Sequence, residues 1–346
     1  MRRLLPYLLF FSVLTGCVDP LQKEEEGDAI QFGTAQVQGV LVKAPEDDFT
    51  PVSALMDKNS TIGVFGSWIR NDGDTPEQIF KHQVVTCQQA NSPTNWTYAP
   101  LQYWRKSGSY KFCAVYPGTS ECEYGSGPER LVIKYSMHAE PYDLMAAKAT
   151  VAIDAGHPHP ERVPLEFHHA CAAVRFLFRN GVEEESGTQY WLNSFELQNI
   201  SSLGIFIYDS QREISRSDWY PADARASSVF SWEATSPTER IAIPKTYYEY
   251  AVANNHWYYV IPQEIKTVGI SEPAVHFSVT VNSNTVSSTP VHTKISLVTN
   301  SQTTWEPGYL YTYCIRIQRS EVSITLEVEP WDVYSVVSND IIFGNE

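Results

Sequence analysis

The chain has 346 residues, enough for two domains of ordinary size, and its 43% hydrophobic and 19% charged residues are globular rather than disordered proportions. A formal charge of −15 excludes nucleic acid and anionic membrane as partners held by charge, because an acidic surface is repelled by both. Aromatics at 13%, with 20 Tyr and 9 Trp, favour pleated, half-buried surfaces over helices.

Residues 1–16 read as a lipoprotein signal peptide: Arg2 and Arg3, then an apolar run from Leu4 to Leu14, then small residues. That run is too short to span a bilayer as a helix. Leu14-Thr15-Gly16-Cys17 resembles a bacterial lipobox, which makes Cys17 the lipid-attachment site and the first mature residue. Residues 17–28 (CVDPLQKEEEGD) are polar and acidic, cannot pack, and read as a tether between lipid and fold.

Beyond the tether the dominant period is two. Val40 and Val42, then Ile62, Val64 and Phe65, lie in short apolar runs, with a helical turn expected between them at 51–58. Tyr110, Phe112, Ala114 and Tyr116 alternate with polar or small residues until Pro117-Gly118 ends the run. The same alternation returns at Val275–Val281, Tyr311–Ile317 and Val322–Val328. Turn signals such as NDGD, SGS, PGTS, GSGP and PAD punctuate these runs. The pattern is all-β, with many short antiparallel strands arranged as β-sandwiches. The proline-rich stretch AGHPHPERVP at 155–164 denies helix and central strand, so it divides an N-terminal sandwich at 29–158 from a C-terminal one at 159–346.

The candidate chemistry is thin. PLEFHHACAAVRFLFRN (164–180) carries His168, His169 and Cys171 beside His157 and His159, a set of metal-ligand types. Read as one strand from Phe167 to Phe178, it turns His168 and His169 to opposite faces. His168 then shares the core stripe of Phe176, and His169 the face of Cys171 and Arg175. No second CxH or CxC completes a ligand set, so no metal site and no cofactor are expected. Neither GxSxG, HExxH nor a Gly-rich phosphate loop occurs, so no catalytic residue is named and the chain does not read as an enzyme. Cys87, Cys113, Cys122, Cys171 and Cys314 form no CxxC pair, and a Cys113–Cys122 bridge is the one pairing that the spacing suggests. The aromatic runs at 245–252 and 255–262 suit core packing, with sugar stacking through Trp257 as the alternative. Asn59, Asn95 and Asn199 begin eukaryotic glycosylation triplets, which behind a bacterial lipobox are coincidence.

Six motifs in order carry a family resemblance: IGVFGSWI (62–69), NWTYAPLQYWRKSGSYKFCAVYP (95–117), DLMAA (143–147), the strand with Phe167, His169, Cys171, Ala172, Val174 and Phe176, VIPQ (260–263), and WEPGYLYTYCIRI…ITLEVEPW (305–331). Together they resemble the Bacteroidetes fimbrillin family, of the Mfa-like type. The acidic residues Glu24 to Glu26 likewise resemble the surface-export signal of Bacteroidetes lipoproteins. The resemblance implies two tandem transthyretin-like β-sandwich domains and a cell-surface fimbrial subunit, or an accessory tip or anchor protein, with a role in adhesion. It implies partners: other fimbrial subunits joined by donor-strand exchange, the outer membrane through the lipid anchor, and a host or bacterial surface ligand. In polymerising members an arginine-directed protease removes the first strand, and a terminal strand of another subunit fills the groove. Here no arginine lies between Cys17 and Ile69, so Lys43, before Ala44-Pro45, is the candidate cleavage position. The tail after Trp331 has strand character and either closes its own domain or is donated. A lipid-anchored binding module for a glycan or host ligand is the alternative reading.

Overall fold

The computed structural model describes residues 28–34 and 58–330, apart from residues 74, 90–94, 126–128, 138–141, 182–186, 223–225, 227, 246–248, 251–257, 266–272, 282–288, 299–302 and 319–321. In chain order the first strands are β1 (Phe32–Thr34), β2 (Thr61–Ile69), β3 (Glu77–Cys87), β4 (Trp96–Thr97), β5 (Gly108–Tyr116), β6 (Cys122–Tyr124), β7 (Arg130–Ser136), β8 (Met145–Ile153) and β9 (Val163–His169). There follow β10 (Ala172–Asn180), β11 (Tyr190–Gln198), β12 (Leu203–Asp209), β13 (Trp219–Pro221), β14 (Phe230–Glu233), β15 (Ile241–Ile243), β16 (Glu249–Tyr250) and β17 (Tyr258–Val260). The last four are β18 (Ala274–Val281), β19 (Val291–Ser296), β20 (Tyr309–Ile317) and β21 (Val322–Pro330). Two short 3-10 turns, Arg216–Asp218 and Pro237–Glu239, are the only helical pieces among the described residues.

These strands make four sheets. A seven-stranded sheet runs β1-β9-β8-β5-β2-β3-β4, antiparallel except for the parallel β1–β9 pair. A second sheet runs β16-β10-β20-β21, with β17 also on β10; a third runs β14-β11-β18-β19, with β15 on β11. The fourth, β13-β12-β7-β6, draws two strands from before the proline-rich stretch and two from after it. Its central pair sets Phe206 opposite Ile133 and Tyr208 opposite Leu131, with all four side chains inside.

The strands that the alternation predicts are present, and their inward residues fill two cores. Tyr110 and Phe112 of β5 join Phe80, Trp104 and Phe167 on one face of the seven-stranded sheet. Phe65, Cys113 and Val115 point the other way, into a larger core. That core continues through Leu131, Ile133 and Tyr135 to Phe176, Phe195, Phe277 and Tyr313. The turn before β5 depends on Gly108, whose φ of 130° suits only glycine and whose missing Cβ makes room for the Trp68 indole.

The stretch from Phe167 to Phe178 is two strands, not one. At the break the backbone groups are taken by three other segments. Ala170 N donates to Leu144 O at 2.8 Å, Gly308 N donates to Cys171 O at 2.9 Å, and Trp219 Nε1 donates to Ala170 O at 2.7 Å. Ala170 and Cys171 belong to neither strand, and because β10 starts anew in another sheet the inward parity changes across them. Odd positions (Leu165, Phe167, His169) face in before the break, and even ones (Val174, Phe176, Phe178) after it. His169 therefore shares its face with Phe167 and not with Arg175. The strand after the prolines also pairs backwards, β9 with β8 and β1, so the expected line between 158 and 159 falls before a member of the seven-stranded sheet.

Candidate assembly groove

The histidines that suggested metal chemistry are dispersed. His169 Nδ1 lies 2.8 Å from Asp143 Oδ2 in the core, while His168 is half-exposed and sits 3.9 Å from Glu166. His157 pairs with Asp154 at 3.0 Å on the surface. His159 stacks on Trp104 at 5.3 Å and faces Asp28 at 3.4 Å. Among the described residues no three His, Cys, Asp or Glu side chains gather closely enough to hold a metal ion. The five described cysteines are thiols. Burial pushes Cys113 up to about 11, and Cys122 and Cys171 to about 12, away from thiolate chemistry. Tyr258 packs against Phe230, Phe195 and Phe176 rather than offering a sugar-stacking face, and burial pushes its hydroxyl well up.

The feature with a use lies at the edge of the seven-stranded sheet. Residues 28–34 run as an extended segment between β9 on one side and residues 102–104 on the other. In the parallel register Phe32 meets Val163, Gly33 meets Pro164 and Thr34 meets Leu165, and Val163 N donates to Gln31 O at 2.7 Å. On the far side Ile30 N donates to Gln102 O at 2.8 Å and Trp104 N to Asp28 O at 3.0 Å. The Tyr98 hydroxyl donates to Ile30 O at 2.8 Å. Strand alternation turns Ile30 and Phe32 inward, where they are 0% and 1% exposed. The Phe32 ring meets Phe80 edge-on at 5.4 Å, Phe112 at 5.8 Å and Tyr98 at 5.7 Å. Burying an Ile and a Phe side chain contributes about 1.5–3 kcal/mol each.

This segment is held by a few main-chain bonds and two side chains, and its covalent link to β2 passes through residues 35–57. In the sheet order β1 is separated from β2 by β9, β8 and β5. Lys43 lies in that link, outside the described residues, as do Cys17, Val40, Val42, residues 51–57, Trp257 and the tail from Trp331 onwards. Sequence reasoning missed the occupant of the groove. Its signal was an Ile-x-Phe spacing at the end of an acidic tether, overshadowed by the longer apolar run QVQGVLVK downstream.

Stacked, mostly antiparallel sheets with a short edge strand seated in an aromatic groove define an all-β sandwich protein. The chain belongs to the fimbrillin-like family, whose model matches residues 48–331. That match takes in the β9 wall and residues 80–112 of the groove, while the occupant precedes it. No curated protein matches the chain. Among solved structures, a fimbrial protein from Bacteroides vulgatus is 11% identical at a TM-score of 0.55, over 88% of this chain and 99% of that one. A candidate cell adhesion protein from Bacteroides uniformis is 16% identical at 0.51, over 88% and 98%. Another from Bacteroides ovatus is 15% identical at 0.50, over 89% and 98%. At these identities the likeness is one of fold. Family membership points to a fimbrial subunit at the cell surface and to a non-enzymatic protein.

Proposed function

We propose that this chain is a fimbrial subunit, or an accessory tip or anchor protein, that is lipidated at Cys17, held at the outer membrane and assembled by strand exchange, with a role in adhesion. In this reading cleavage at Lys43 separates the segment containing Ile30 and Phe32 from the fold. A strand of another subunit then takes its place along β9. The observation that carries it is the geometry of residues 28–34. Main-chain hydrogen bonds on both sides supply affinity that any strand can reproduce, and two side-chain pockets supply specificity. A filled groove also protects a sheet edge that would otherwise pair indiscriminately. The glycan-binding alternative rests on Trp257, which lies outside the described residues; its neighbour Tyr258 packs on Phe230.

Mass spectrometry of the native surface form tests the reading. Assembled protein is expected to begin at Ala44 and to have lost residues 17–43. Assembled material that carries only a lipidated Cys17 terminus would sink cleavage-driven exchange and leave an uncleaved anchor.

A further inference from the structure

We infer that the outer face of the β14-β11-β18-β19 sheet carries a site for an uncharged sugar, built on Trp191, Asn193 and Thr280. The site lies on a different sheet from residues 28–34, stands independently of strand exchange, and adds a ligand to the adhesive role.

Trp191 is the first pointer. Trp68, Trp96 and Trp104 join one core, and Trp219, Trp232 and Trp305 the other; Trp191 alone among the described tryptophans joins neither. Tyr190 and Leu192 on either side of it point into the larger core, so alternation turns the indole outward, where it is half-buried. Across the strands it faces Ala242 and Thr280, both too short to cover an indole. A large ring left outside the cores offers an apolar face to a ligand, with its N–H as a polar handle.

Beside that ring the sheet is irregular. The β11–β18 register shifts between Leu192 and Ser194, so Asn193 is an extra residue at a bulge, and bulges re-aim side chains. Asn193 is 8% exposed. Its Nδ2 donates to Thr280 Oγ1 at 2.8 Å, yet among the described residues nothing donates to its Oδ1. A buried acceptor without a donor costs about 1–3 kcal/mol, and a ligand hydroxyl removes that cost. Thr280 accepts from the amide and so keeps its own hydrogen to give. Next to it the Ser194 and Ser278 hydroxyls pair at 2.6 Å. Further along β18, His276 Nε2 is likewise buried and unmet among the described residues. The step from Thr280 to His276 is about 13 Å, room for a short chain of sugar rings. This floor is closed at rest, with Thr280 only 2% exposed. Its rim includes Trp191 and, opposite Ser278, the exposed His292, side chains that change rotamer on the picosecond-to-nanosecond scale and open it.

The combination names the ligand class. A lipid chain would leave the amide oxygen unmet. An anion would present that oxygen with a second acceptor, and Glu196 and Glu233 on this face outweigh Lys294. A sugar hydroxyl both donates and accepts, while the C–H face of the ring lies on the indole.

The test probes the full mature chain, residues 17–346, with arrays of neutral oligosaccharides, sialylated oligosaccharides and a dodecyl chain, and titrates the hits by calorimetry. Wild type is expected to bind a neutral oligosaccharide. Trp191→Ala and Asn193→Ala should each weaken that binding by about tenfold or more. Thr280→Val keeps the shape, removes only the hydroxyl, and should weaken binding too, which separates lost chemistry from lost folding. Tyr220→Ala, on another sheet and 56% exposed in the native chain, should bind as wild type does. Binding of no neutral sugar would overturn the site, and so would binding of the sialylated or dodecyl probes alone. A neutral sugar held undiminished by Trp191→Ala, Asn193→Ala and Thr280→Val would also overturn it and move sugar binding to another surface. None of these results touches strand exchange, which is read from the terminus of the assembled protein.

Discussion

His169 Nδ1 lies 2.8 Å from Asp143 Oδ2, and the two side chains are only 4% and 3% exposed, at the point where the chain leaves one sheet for another. A buried carboxylate and imidazole bonded to each other each lose a hydrogen-bond partner when the other is removed. His169→Ala and Asp143→Ala are each expected to lower unfolding free energy by about 1–3 kcal/mol, the cost of an unpaired buried polar group. The double variant should cost clearly less than the sum, because it removes both partners of the hydrogen bond together. Urea melts of the four chains measure this, and strict additivity would mean that the two residues act separately.

Phe32→Ala removes the ring that meets Phe80 and Phe112 but leaves the chain covalently intact. The loss of about 3–5 kcal/mol expected for a buried Phe should appear as local opening rather than global unfolding. Hydrogen exchange at the Ile30 and Val163 amides, which donate to Gln102 and Gln31, should accelerate markedly. Core amides of β20 should keep their protection. Equal acceleration throughout would show that residues 28–34 are part of the global folding unit and not a detachable plug.

The sequence revealed the strands in which large apolar side chains recur at every second position. Tyr110–Tyr116, Val275–Val281 and Tyr311–Ile317 are strands because every second residue had to be apolar. The break at Ala170-Cys171 was hidden because small residues fit a continuing strand as well as a crossing. What ends β9 is the claim of Leu144, Gly308 and Trp219 on those backbone groups, and no local pattern records that. The same holds for the β7–β12 pairing, where Ile133 and Phe206 are far apart in sequence and their register is a tertiary fact. The groove was not legible: Lys43, named from the sequence, lies outside the described residues, and the segment seated beside β9 was not named. Two apolar residues with polar neighbours make too short a run to separate from the tether.

The buried thiols make stability fall in alkali. Cys113, Cys122 and Cys171 have pKa values raised by burial from 9.0 to about 11, 12 and 12, so the fold favours their protonated form. Their contribution is complete below pH 9 and is lost as pH rises through 11 to 12, because the unfolded chain releases those protons first. The slope is about 1.4 kcal/mol per pH unit for each thiol in that window. Urea melts between pH 8 and 10.5 should show declining stability, partly relieved by Cys171→Ala. At pH 8 Cys171 should react with a thiol reagent only as fast as the protein unfolds; its rapid labelling would contradict its burial.

The sheet that β7 and β12 share predicts that the two halves unfold together. Ile133 and Phe206 sit opposite each other, both 0% exposed, and Phe206 stacks on Trp219 at 5.1 Å. Trp219 in turn donates to Ala170 at the crossing between sheets. Ile133→Ala, made in the first half, is expected to cost about 2–5 kcal/mol. Because one of its two cross-strand partners, Phe206, belongs to the second half, the loss should be felt there too, at the β11 and β20 amides and at Trp305. Calorimetry should give one transition for both chains, shifted down in the variant. Two separate transitions, with only the earlier one moved, would mean that the shared sheet joins the halves without coupling them.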